Sequence, residues 1–131
     1  MGIFKKAPPR PFVNDEKAFI EWMIRYDDQF KLFRKMVGNN LEGIIRAASQ
    51  SISQEIDKYP SGEALLDRLT IIGKNYDTIM PMIEKRGGVL NSPLEMQAVF
   101  YDCVTAMTII PYFIKYKYGL SLPFDIEELK P

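Results

Sequence analysis

The sequence contains no histidine among its 131 residues, and it has only one cysteine. Without histidine the chain lacks the most common general base and metal ligand, and it cannot form a Ser-His or Cys-His nucleophile pair. Cys103 alone forms neither an intrachain disulfide nor a thiolate metal cluster, since each needs a second cysteine. These absences remove the commonest catalytic mechanisms, so we expect no metal site, no cofactor and no enzymatic activity.

Net charge and long apolar runs are also missing. Lysine and arginine number 17 and aspartate and glutamate also number 17, which argues against a surface devoted to nucleic acid or anionic lipid. The most apolar stretch, residues 99–114, is shorter than the ~20 residues of a membrane span and is interrupted by Asp102 and Pro111. Residues 1–10 lack the apolar core of a signal peptide. We therefore expect no transmembrane segment and a cytoplasmic location.

The first 13 residues differ in composition from the rest. Their prolines exclude a helix and favour an extended, polyproline-like path, and their charges are all positive. The sequence thus predicts two parts, an extended basic arm over residues 1–13 and a helical domain over residues 14–131. The candidate partner contacts in the arm are Lys5, Lys6, Pro8, Pro9, Arg10, Pro11 and Phe12.

Two stretches carry apolar residues at alternating spacings of four and three, the pattern of a helix with one buried stripe. The first predicts one helix from an Asn14 cap to Gly38, and the second predicts a helix from a Ser61 cap to Gly87, kinked or broken at Pro81. The two stripes are Phe19, Met23, Tyr26, Phe30, Phe33 and Val37, and Leu65, Leu69, Ile72, Tyr76, Ile79 and Ile83.

Two further helices are predicted between these stops. One follows Asn39 or Asn40 and ends at Pro60. The other begins with a capping box in which Ser92 is the N-cap and Glu95 its partner, and it runs to Gly119 with a kink at Pro111. Short connections favour antiparallel neighbours. The predicted fold is therefore all-α: a four-helix bundle with an extended proline-rich N-terminal arm and a short C-terminal turn at residues 125–129.

The acidic residues offer little support for metal chemistry. No Glu-x-x-Glu pair occurs, and most acids fall at predicted helix starts or outer faces. Asp27 and Asp102 lie beside apolar stretches, and either would mark a site if it were buried without a partner. The simpler expectation is a carboxylate at the rim of the core, bonded to a tyrosine or an arginine. Cys103 is expected to be buried and inert.

The size, the helix number, the proline-rich arm at residues 7–11 and the absence of catalytic histidines form one pattern. In this layout the chain resembles small helical-bundle structural proteins of archaeal viruses, which join a four-helix core to an extended arm. The resemblance implies a virion-associated structural role. It rests on the layout of the chain and involves no sequence motif.

The leading hypothesis is a non-enzymatic structural or assembly protein that self-associates through the arm and an aromatic C-terminal region. The C-terminal contact candidates are Tyr112, Tyr116 and Phe124. An alternative is an interaction module or accessory subunit of a larger complex, contacting nucleic acid through the basic arm. A third hypothesis is a carboxylate-dependent metal enzyme using Asp27, Asp77 or Asp102.

Overall fold

The computed structural model describes residues 7–124 and residue 126, and these residues form helices and connecting turns with no β-strand. The all-α class is confirmed. Lys5, Lys6 and most of the predicted C-terminal turn at 125–129 lie outside the described residues. The α-helices are α1 (Glu16–Tyr26), α2 (Lys31–Val37), α3 (Leu41–Lys58), α4 (Gly62–Lys85) and α5 (Leu94–Tyr112).

The first predicted helix is in fact two helices, and the prediction of one continuous helix is wrong. Asp27 has extended backbone angles (φ −70°, ψ 139°), and a 3-10 turn at Asp28–Phe30 leads into α2. The Asp27 carboxylate accepts a hydrogen bond from the Gln29 amide (2.9 Å), which caps this turn. A short acidic side chain that bonds its own backbone competes with the helix, so the chain breaks here.

The break is held from the far side by Arg34 of α2. Its Nη1 donates to the carbonyl oxygens of Ile24 (2.8 Å) and Asp27 (2.9 Å), at the end of α1. Most of the predicted stripe stays buried on both sides of the break, but Tyr26 is exposed. The start of α1 also differs, because Asp15 rather than Asn14 occupies the N-cap position.

The third predicted helix, α4, begins at the expected position and is not broken at Pro81. The Ser61 hydroxyl accepts from the Ala64 amide (3.2 Å), which confirms the predicted cap. Pro81 lies inside α4, and the helix continues to Lys85. Pro81 has no amide hydrogen to donate to the Asp77 carbonyl, but both residues are exposed. Water can therefore take the place of the missing hydrogen bond.

The predicted capping box before α5 is wrong. The helix begins at Leu94, so Pro93 takes the N-cap position. The Ser92 hydroxyl instead donates to the Gly88 carbonyl (2.9 Å), and the Gln97 side chain donates to the Ser92 carbonyl (2.9 Å). Ser92 is buried, and these bonds satisfy polar groups that the tight connection would otherwise leave unpaired.

The centre of the structure is α5, which packs against α4, α3 and α1. Beyond Pro111 the helix widens into a π-helical turn, Phe113–Lys117. The segment Leu94–Lys117 is long and apolar enough to cross a membrane, but 61% of its most apolar window is buried inside the protein. That burial is typical of the central helix of a helical core.

Aromatic rings join the first helix to the last. The Phe19 ring meets the rings of Tyr112 (5.7 Å between centroids) and Phe113 (5.5 Å) edge to face. The Phe33 ring meets Tyr101 of α5 in the same geometry at 5.4 Å. Such pairs stabilise a core by ~0.5–1.5 kcal/mol beyond the burial of their area.

The C-terminal segment returns across the start of α4 at Gly62. A Cβ atom at this position would lie 3.0 Å from the Leu120 Cβ and 3.2 Å from the Tyr118 Cβ. Gly119, with φ +70°, makes the turn between those two residues. The close approach explains a buried glycine in the first turn of a helix.

Candidate partner-binding surfaces

Residues 7–12, here called the arm segment, contain no helix and fold back along α1. The Asp15 amide donates to the Phe12 carbonyl (3.0 Å), which closes a turn at the base of the segment. Val13, assigned to the arm from the sequence, is buried in the core. The core therefore begins one residue earlier than predicted.

The arm segment contacts Trp22, the single tryptophan of the chain. The indole Nε1 donates to the Pro8 carbonyl (2.7 Å), and the Arg10 guanidinium lies 5.7 Å from the ring centroid. The ring of Tyr26, one helical turn further on, lies 5.8 Å from that of Trp22. We call this pair of rings the aromatic platform. The sequence did not point to Trp22, because it lies beside the predicted stripe of α1 and not on it.

The remaining candidates of the arm segment lie at or near the surface. Pro8 and Pro9 are exposed, whereas Arg10 and Pro11 are half-buried. Phe12 is 71% exposed, which is unusual for a phenylalanine at the base of an ordered segment. These residues are open to a partner even while the segment contacts α1.

The C-terminal candidates separate into one buried residue and two exposed ones. Tyr112 is buried, and its hydroxyl accepts a hydrogen bond from the Gln29 side chain (2.9 Å). Tyr112 therefore belongs to the core and presents almost no surface to a partner. Tyr116 and Phe124 are exposed. Phe124 lines an apolar depression together with Leu66 and Leu69 of α4 and Met107 of α5.

A groove between α4 and α5, here called the α4/α5 groove, is a mainly apolar feature that the sequence did not predict. It has a volume of about 430 Å³. Met82 is 47% exposed, Val99 is 44% exposed, and Leu94, between two lining residues, is 81% exposed. Within the part of the chain that the structure describes, the groove is lined by Asn75, Thr78, Ile79, Met82, Pro93, Glu95, Met96 and Val99. Met82 and Leu94 fall outside the periodic stripes. A large apolar residue away from the buried stripe of its helix is the sequence signal by which such a surface can be recognised.

The acids of the enzyme hypothesis lie in three different settings. Asp27 is buried and caps the 3-10 turn, as described above, and Asp77 is exposed on α4. Asp102 is exposed at a small pocket of about 170 Å³ between α3, α4 and α5. Within residues 7–124 and 126, no group of three or more Cys, Asp or Glu side chains is placed to hold a metal ion.

The small pocket combines charged and apolar groups. Across it, the Arg68 guanidinium binds both carboxylate oxygens of Glu55 at 2.9 and 3.0 Å. Although Asp102 is exposed at the pocket rim, loss of hydration on the side that lines the pocket raises the pKa of its carboxyl above the ordinary value. Burial, and then the charge of Asp102, raise the pKa of the Cys103 thiol. A buried thiol with a raised pKa is a poor nucleophile, in agreement with the inert role expected from the sequence.

Asp102→Asn is expected to make the protein slightly more stable at neutral pH. Because the pKa of this carboxyl is raised in the folded state, the native protein holds the proton more tightly than the unfolded chain. Stability is therefore lost as pH rises from the unfolded pKa through the folded one, and Asn removes that loss. Urea denaturation of both proteins between pH 3 and pH 7 measures this difference in stability. If the two profiles of stability against pH ran parallel, Asp102 would not be the group that causes the loss.

Comparisons with protein-family models, with curated proteins and with solved structures gave no match to this chain.

Proposed function

We propose that this chain is a non-enzymatic structural or assembly protein that self-associates, and that its helices form a four-helix bundle in which α1 and α2 together act as one member. The observation that carries the proposal is the α4/α5 groove. Exposed apolar side chains that line one groove, here Met82 and Val99, mark a protein contact more often than scattered ones do.

The composition of the groove favours a second copy of the chain as its occupant. Glu95 is the charged residue among those described as lining it, and the others are apolar or neutral. Depletion of charge with enrichment of methionine is typical of the centre of a protein interface, and homodimer interfaces are the most apolar class. In a twofold dimer the same surface meets itself, so a groove lined mainly by apolar and uncharged polar residues can pack against its own copy.

The arm supplies the second proposed contact. Its Phe12, Pro8 and Pro9 are exposed, and the resemblance to helical-bundle structural proteins of archaeal viruses supports an arm that joins copies. This role fits a soluble protein that is located in the cytoplasm or in a virion. Lys5 and Lys6 leave nucleic acid as a weaker alternative partner of the arm, and an accessory subunit would use the same groove for a different protein.

Replacing both Met82 and Val99, which line the groove and are exposed, by glutamate is expected to abolish self-association through the groove. Burying two carboxylates in an apolar contact costs several kcal/mol, which is enough to weaken binding more than a hundredfold. The matched control is Leu32→Glu, which places a charge at a 74% exposed leucine of α2. Sedimentation velocity of the three proteins at equal concentration measures the outcome.

The control separates a specific contact from a general effect of charge. The proposal requires that the double variant sediments as a 15.1 kDa species while Leu32→Glu keeps the mass of the unmodified chain. If Leu32→Glu dissociates equally, or if neither change alters an assembled mass, the groove is not the contact.

A further inference from the structure

We infer that the aromatic platform of Trp22 and Tyr26 is a receptor for an extended proline-rich segment that carries an arginine. In the single chain its occupant is the arm segment. In an assembly the occupant is the arm segment of a second copy, and this last step rests on the proposed self-association.

One contact at the platform is of the kind by which proteins recognise polyproline segments. Such recognition uses aromatic side chains as a surface for proline rings and a tryptophan N–H as a donor to a backbone carbonyl. The Trp22 Nε1 bond to the Pro8 carbonyl, at 2.7 Å, is of that kind. A proline-rich segment also loses little conformational freedom on binding, because its prolines already fix the backbone.

The arginine adds selectivity to this contact. The Arg10 guanidinium lies within reach of the Trp22 ring face, where a cation is attracted by ~0.5–1 kcal/mol at an exposed site. Pro8 and Pro11 are three residues apart, the spacing that would place both on one face of a polyproline helix, which has three residues per turn. The ligand class is therefore a short segment with prolines at that spacing and a basic residue between them.

The occupant is exchangeable because few contacts hold it. Pro8 and Pro9 are exposed, and the platform lies on the outer side of α1. The turn closed by the Asp15 amide and the Phe12 carbonyl is the connection about which the arm segment leaves α1. An arm seated on its own platform competes with the same segment in trans, since a short tether gives an effective concentration in the millimolar range.

The test uses the full chain and a peptide of residues 7–13 that carries a fluorophore, with binding measured by fluorescence anisotropy. One host protein carries Arg10→Ala, which weakens the binding of its own arm segment to the platform and leaves the platform residues unchanged. We expect this host to bind the peptide about threefold more tightly than the unmodified chain does. Adding Trp22→Phe to the host is expected to weaken binding about tenfold, because the N–H donor is lost and the ring is reduced.

Two controls keep the outcome decisive. Leu32→Ala in the Arg10→Ala host changes an exposed apolar residue of α2 and should leave the affinity unchanged. A peptide with Arg10→Ala should bind the same host two- to fivefold more weakly, and this comparison stays valid even if the Trp22→Phe host folds poorly. Two outcomes would overturn the inference. In the first, the hosts with and without the Trp22 indole bind the peptide equally and the two peptides bind the host equally. In the second, no host shows saturable binding.

The same samples separate this inference from the proposed function. Light scattering gives the mass of each host in the absence of peptide. Peptide binding by a chain that stays at 15.1 kDa would establish the platform and reject self-association. An assembled chain that fails to bind the peptide would leave the proposed function in place and remove the arm from its mechanism.

Discussion

Phe19→Ala is expected to lower the free energy of unfolding by about 3–5 kcal/mol, the range for truncation of a fully buried phenylalanine. Phe19 has no exposed surface, and its ring packs edge to face on Tyr112 and Phe113. The loss combines apolar area, two ring contacts and an unfilled cavity, because a helical core collapses only partly around a deletion. Equilibrium denaturation in guanidinium chloride measures the change.

Leu32→Ala is the matched control for this experiment. It also truncates a large apolar side chain, but Leu32 is exposed on α2. Its effect should stay within about 0.5 kcal/mol. If Phe19→Ala cost no more than the control, the packing of α1 on the end of α5 would be incorrect.

Arg34→Ala is expected to cost about 1–3 kcal/mol, although Arg34 belongs to no part of the apolar core. Its guanidinium satisfies the carbonyls of Ile24 and Asp27 at the break between α1 and α2. Without it those carbonyls lose a charged donor, and the two helices lose the link that sets their relative position. Thermal unfolding monitored by circular dichroism, together with urea denaturation, measures this cost.

The neighbouring Lys35→Ala removes a positive charge from the same helix without touching the break. Lys35 is exposed, so its replacement should change stability by less than about 0.5 kcal/mol. A similar loss for both variants would mean that Arg34 acts through charge alone and that its two hydrogen bonds contribute nothing.

The apolar periodicity was enough to predict the helical class and most of the buried residues. Phe19, Leu65 and Ile83 lie on the predicted stripes and are fully or almost fully buried. Ser61 caps α4 as expected, and Gly38 has the positive φ predicted for a helix stop. These features depend on local chemistry that acts within one or two helical turns.

The errors occurred where local and tertiary interactions compete. Asp27 caps a new turn, and Arg34, seven residues later, stabilises that turn, so a continuous stripe did not mean a continuous helix. Ser92 has the sequence context of an N-cap, but its hydroxyl bonds the preceding Gly88 carbonyl. Both outcomes depend on how the chain packs beyond the local sequence.

The candidate contact residues show the same division between features set by local chemistry and features set by tertiary packing. Composition alone predicted the arm, because its prolines and basic residues act through local backbone geometry and charge. Its seat on Trp22 depends on a chain reversal that brings residues 14 positions apart together. Tyr112 was expected at the surface because aromatic content does not reveal direction, whereas the helical register turns it inward.

Solution mass over a concentration series is the most direct test of the proposed self-association. The measurement is multi-angle light scattering behind a sizing column, on the full chain and on a chain beginning at Phe12, which keeps the buried Val13. We expect the full chain to exceed 15.1 kDa increasingly with concentration, and the shortened chain to associate less. A constant mass of 15.1 kDa for the full chain at every concentration would contradict self-association.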